Sequence, residues 1–374
     1  MLAYGFLILL TVLAYVFFRN QARSRKGYNR NIALSNEEIQ ARYATVEVKT
    51  ITVFFTSYII LLGLRDPTVG IDARSYINNY FLRFRGYSWS DLIHNNADEL
   101  GFTILTKFIG VLSSSPQVYL FLVAAISVIP LMYLYRKETR DALLCCAFFL
   151  ISLLFEAFFS ALREGVALGL VAPAYYFTKN KKIIPFVFTV LLASTFHLSA
   201  LILFLLYPIY HAKITIKWLW FVVPIMYLVY RYNSVIFNTM LVTMGGKYAN
   251  KYLIYGYEAT GQYGLLILFV LISVYCFVMM DEKQADNDDI GFRNILLLAT
   301  ALQLFAPLHV LASRMNYYFI IFIPIALTRT NAICKRRYWQ IAKLAKVVMV
   351  IYFIFYFFVM KGDQLQIMNY KFCF

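Results

Sequence analysis

Apolar residues run in continuous stretches along this chain, and polar residues collect between them. The stretches fall at 2–18, 48–64, 118–135, 142–160, 163–178, 183–210, 216–232, 264–280, 292–310, 314–330 and 342–360. Most approach the roughly 20 residues that a helix needs to cross a bilayer core. Because they are continuous rather than alternating, they predict spanning helices and not the strands of a barrel. The expected fold is all-α, a polytopic integral membrane protein with about twelve transmembrane helices, some short or broken, around an outward-facing cavity. One transmembrane domain covers 1–374.

Two stretches depart from this pattern. The run 101–112, GFTILTKFIGVL, is short for a crossing, contains Lys107 and precedes SSSP, so it reads as an amphipathic or re-entrant piece. The run 183–210 reads best as two shorter helices meeting near Thr195–Ser199, with the break facing outward. A single span there would place the later cluster Lys335–Arg337 outside, against the bias of basic residues towards the cytoplasm. The opening segment lacks a basic leader and a small-residue cleavage site, and reads as a retained first span.

Charge sets the orientation. The loop 19–49 holds Arg19, Arg23, Arg25, Lys26, Arg30, Arg42 and Lys49 and is expected in the cytoplasm. The segment 65–116 then becomes an external loop with interfacial or re-entrant helices, and 233–262 a second external loop. The basic turns RKETR and TKNKK fall inside by the same parity.

Composition narrows the class further. The chain is 61% hydrophobic and carries a formal charge of +16, from 35 basic against 19 acidic residues. In a soluble protein that charge would suggest nucleic acid; here the basic residues sit in short loops, with no basic face interleaved with stacking aromatics. Five scattered cysteines form no CxxC or His/Cys ligand spacing, so no metal site or disulfide framework is indicated.

Against this apolar background a few ionisable residues stand out at the outer ends of the runs. Arg65, Asp66, Asp72 and Arg74 lie within RDPTVGIDARSY, where Asp66–Pro67 ends the preceding helix. Arg163 and Glu164 open a helix with Gly165 and Gly169 as close-packing residues. His197 lies at the expected break, and Arg314 shares a helix face with Tyr317 or Tyr318. Each has a bland reading: a snorkelling arginine, a first-turn glutamate favoured by the helix dipole, or a hydrogen-bonded structural histidine. Ionisable residues at membrane depth tilt the balance towards function. Several arginines at one face suit a lipid-linked pyrophosphate, whose oxygens a planar guanidinium binds and whose developing charge it stabilises. His197 or a carboxylate would supply a base. No DxD pair or histidine cluster marks a metal, so metal-independent transfer without a cofactor is expected.

These segments resemble the EpsG-like branch of the Wzy-type bacterial polysaccharide polymerases. Arg65, Gly70, Asp72 and Tyr76 match that family's first motif, and Phe196, His197, Ser199 and Ala200 its Phe-His-x-Ser-Ala. The second motif, Asn-x-x-Arg-Gln, is met by Ser160, Arg163 and Glu164, with two departures; Arg314 stands for the last, before Tyr317 or Tyr318. The resemblance implies a multi-pass enzyme of the bacterial inner membrane with its site facing the periplasm or exterior. It would move a growing glycan (capsule, exopolysaccharide or O-antigen) from undecaprenyl pyrophosphate to the non-reducing end of an incoming lipid-linked oligosaccharide. It also implies Arg65, Arg74, Tyr76, Arg163, Arg314 and Tyr317 at the pyrophosphate or glycan, and Asp72, His197, Arg163 or Glu164 in catalysis, with Asp72 the favoured base. The implied partners are the lipid-linked substrates, membrane lipids, and a chain-length regulator and flippase of the same pathway, with no nucleic acid. The rival readings are a glycan ligase, a transporter of lipid-linked sugars and a membrane acyltransferase. A transporter would be expected to show internal symmetry, and none is visible.

Overall fold

The computed structural model describes all residues except 29–35, 96–98, 245–261 and 364. Part of the second expected external loop, 233–262, therefore lies outside the described residues. Helices dominate, and the pairing of extended backbone among the described residues is limited to isolated bridges such as Arg65 with Phe372.

Among the described residues, six helical segments are long and apolar enough to cross a membrane: Leu2–Arg23, Ala41–Leu64, Pro116–Glu138, Gln262–Met279, Val310–Ala332 and Arg336–Met360. Two bent pairs, Ala142–Ile151 with Leu153–Ser160 (61°) and Ile216–Arg231 with Asn233–Met240 (72°), bring the number up to 8. The apolar pattern alone suggests about twelve crossings. The difference lies in breaks that hydropathy does not register. The run 163–178 divides into Leu162–Gly169 and Val171–Lys179, and 183–210 into Ile183–Phe196 and the pieces after His197. The run 101–112 forms the 13-residue helix Leu100–Leu112.

The chain divides into two compact units. The first contains Met1–Leu201 and Leu344–Phe374. Here the helices Asn36–Leu64 and Pro116–Glu138 pack along each other, and Tyr58, Phe149, Phe155 and Phe159 interlock edge-on and stacked. The C-terminal segment runs back along residues 64–71: the amides of Asp66, Gly70 and Ile71 donate to Lys371, Gln366 and Leu365 at 2.9–3.1 Å. Gly70 has φ +97°, and a Cβ there would meet the Phe159 carbonyl carbon at 2.9 Å, so only glycine fits.

The second unit, Ile202–Lys343, is organised around the helix Asn287–Gln303. A capping box of Asp286 and Asp289 starts that helix. The buried Arg329 ties to both carboxylates, and Arg293 pairs with Glu282 and the Ile214 carbonyl. Further along, Gln303, Gln262 and Asn316 hydrogen-bond in a buried chain, which satisfies amides that lipid would leave unpaired.

Candidate functional site

The polar cluster of the first unit is assembled at three helix ends. Leu100–Leu112 begins at Glu99, whose backbone is left-handed at φ 58°. Ile183–Phe196 stops because His197 turns extended, φ −156°, while its amide still donates to Ala193. Arg163 is the second residue of Leu162–Gly169. Gly101 allows the first two ends to approach, since a Cβ there would lie 3.0 Å from Thr195 Cβ.

Glu99 joins the other two. One carboxylate oxygen accepts from Arg163 Nη1, and the other lies 2.5 Å from His197 Nδ1. Arg163 Nε also donates to the Tyr76 hydroxyl at 3.2 Å. Its guanidinium carbon sits over the rings of Tyr76 and Tyr80, at 5.7 and 5.5 Å. The tyrosines stand four apart in the π-helical segment Tyr76–Leu82, which stacks them beneath one cation. The side chains stay reachable: Arg163 is 33% exposed, His197 18% and Glu99 13%.

With a carboxylate beside Nδ1, the neutral form of the imidazole has its hydrogen on Nδ1 and its acceptor lone pair on Nε2. The arrangement provides a base, a carboxylate that orients it, and a cation held over aromatic faces. Among the described residues, no group of three or more His, Cys, Asp or Glu could hold a metal ion.

The residues singled out in the sequence are placed differently from one another. Tyr76, Arg163 and His197 come together. Glu164 is 1% exposed and turns into the unit while its neighbour Arg163 turns out. Arg65 is also 1% exposed, with Nη1 donating to the Phe158 carbonyl at 3.4 Å and its guanidinium over Phe159. Asp66 accepts from the hydroxyl and amide of Thr68 at 2.7 and 2.8 Å, and these bonds hold its carboxyl below the usual range. Asp72 is half-buried just before Tyr76 and acts on it electrostatically, and Arg74 is exposed. Arg314 and Tyr317 belong to the second unit, on the helix Val310–Ile320. Glu99 carried one sequence signal: it is an acid directly before the short apolar helix.

A family model described as the EpsG family matches residues 48–372, a range that holds every residue of this cluster. The chain belongs to the EpsG family. It is thus a membrane protein of polysaccharide biosynthesis, in a family associated with glycosyltransferase-type polymerase activity. No curated protein and no solved structure matches it. In this EpsG-family chain the arginine of the second motif and the histidine of the third meet through a glutamate outside both motifs.

Proposed function

We propose that this EpsG-family protein is a polysaccharide polymerase. It transfers the growing glycan from undecaprenyl pyrophosphate to the non-reducing sugar of an incoming lipid-linked repeat, on the outer face of the bacterial inner membrane. The observation that carries the reading is Glu99 bound at once to Arg163 and His197.

In the proposed reaction, His197 Nε2 takes the proton of the acceptor hydroxyl as its oxygen bonds to the anomeric carbon. The bond from that carbon to the pyrophosphate oxygen breaks, and its electron pair leaves with the pyrophosphate. Arg163 stabilises the charge that collects there, and Glu99 stabilises the imidazolium. Tyr76 and Tyr80 hold the guanidinium in place, and sugar rings can stack on the aromatic surface nearby. Arg74 is assigned to the glycan and pyrophosphate, the role that the family resemblance also implies for Arg314 and Tyr317 of the second unit. Asp72 is assigned to orienting the acceptor, because the base role falls to the histidine that a carboxylate already polarises. The buried Arg65 and Glu164 are assigned to supporting the motif segments. A flippase and a chain-length regulator would act before and beside it.

The test is glycolipid analysis of membranes from a deletion strain complemented with wild type, Arg163→Ala, His197→Gln or Glu99→Gln. Wild type should give a ladder, and each variant single lipid-linked repeats, with polymer reduced at least about a hundredfold. Ladders of wild-type intensity from all three variants would remove the cluster from catalysis. Wild type that restores glycan on another acceptor, without a ladder, would identify a ligase.

A further inference from the structure

A second basic site lies in the first unit, within the pair of helices that opens the chain. A cavity of about 140 Å³ lies between Leu2–Tyr28 and Asn36–Leu64. Phe18 and Gln21 line it from one helix, and Arg42, Thr45 and Lys49 from the other. The last three stand at positions i, i+3 and i+7, so one face of the second helix carries both cations and a hydroxyl. Lys49 Nζ lies 5.2 Å from the Phe18 ring centroid, which steadies it at the cavity edge. Arg42 Nη1 is buried there with no hydrogen-bond partner. Glu47, the acid between the two cations in sequence, accepts instead from the Ala142 amide.

A buried guanidinium donor without an acceptor marks a place where an anion completes the structure. Depth identifies the anion. The candidate spans here are Leu2–Arg23 and Ala41–Leu64, so Phe18, Gln21 and Arg42 sit at the matching ends of both, where a bilayer has its headgroups. The adjoining surface of the first helix exposes Leu13 and Phe17, which suits acyl chains beside a phosphate. A volume of this size takes a phosphate group.

We infer that the cavity between these helices binds the phosphate of an anionic phospholipid, held by Arg42 and Lys49, with Thr45 in the cavity wall. The site is separate from the Glu99 cluster and does not depend on the polymerase reading. It anchors the first two helices at the membrane surface, on the face that the basic loop assigns to the cytoplasm.

Native mass spectrometry of the full-length protein tests the assignment, with phosphatidylglycerol, phosphatidylcholine or inorganic phosphate added to the detergent-purified sample. Wild type should keep a phosphatidylglycerol adduct and show none with phosphatidylcholine. In Arg42→Gln/Lys49→Gln its affinity should fall about thirtyfold, as expected for losing two cations at a membrane surface. Arg42→Lys should retain most of the binding. Thermal unfolding checks that the double variant folds; if it does not, Thr45→Glu, which keeps both cations and adds a repelling charge, replaces it with the same expected loss. Unchanged phosphatidylglycerol binding in the variants, equal binding of phosphatidylcholine, or retention of inorganic phosphate alone would each overturn the lipid assignment.

Discussion

Glu99 holds a left-handed backbone, φ 58°, that costs a non-glycine residue roughly 1 kcal/mol or more. Its carboxylate bridges Arg163 and His197, so the strain is kept where the side chain has two charged or polar partners. The two demands separate in Glu99→Gly, which relieves the backbone and deletes the carboxylate. This variant should unfold within a few degrees of wild type in detergent, yet lose polymer to about a hundredth or less. A variant that polymerises normally would make the bridge structural only. The contrast with Glu164 is instructive at the same scale. Two acids lie near Arg163, but the adjacent one in sequence is buried away from it, and the distant one binds it.

Among the elements, the C-terminal segment has the widest influence on the first motif. Its backbone pairs with residues 64–71, while the Tyr4 hydroxyl donates to Ile367 at 2.6 Å and Tyr370 to Leu61 at 2.8 Å. Lys361, at its start, reaches the 61° bend between Ala142–Ile151 and Leu153–Ser160. It donates to the carbonyls of Leu150 and Ser152, at 2.9 and 3.3 Å, and pairs with Glu156 at 3.1 Å. A bend frees carbonyls that lipid cannot satisfy, and the lysine serves them. Replacing it by methionine leaves Glu156 buried and unpaired, and should cost about 3–5 kcal/mol. Thermal unfolding should show a large drop for Lys361→Met and partial recovery for Lys361→Met/Glu156→Leu. Equal stability of wild type and the single variant would refute the role of the lysine at the bend.

At the scale of the whole molecule, the span number depends on how bent and broken helices cross. The bias of basic loops towards the cytoplasm makes an orientation that labelling can test. If the basic stretch between the first two candidate spans lies in the cytoplasm, Asn79 faces out and Lys137 faces in. In a Cys334→Ser/Cys373→Ser background, which leaves only the buried Cys145, Cys146 and Cys276, a membrane-impermeant maleimide should label Asn79→Cys on intact cells. It should label Lys137→Cys only after permeabilisation. Both positions are exposed, so accessibility reports sidedness rather than burial. Labelling of Lys137→Cys on intact cells would invert the orientation.

Hydropathy by itself determined the class of this protein: continuous apolar runs demand helices in lipid. The short helix at 101–112 was legible because its run is short, and the stop near His197 because a single span there conflicts with the later basic cluster. The motif residues Tyr76, Arg163 and His197 were visible as polar interruptions of apolar sequence. Only the tertiary structure decided that Glu99 links the latter two, across 64 and 98 residues of chain. It also decided that Arg65 and Glu164 turn inward, and that the C-terminal segment covers the first motif. The physical reason is range. Periodicity and charge bias act within a turn or a loop, whereas which side chain meets which depends on helix ends brought together by packing, such as the glycine contact between Gly101 and Thr195.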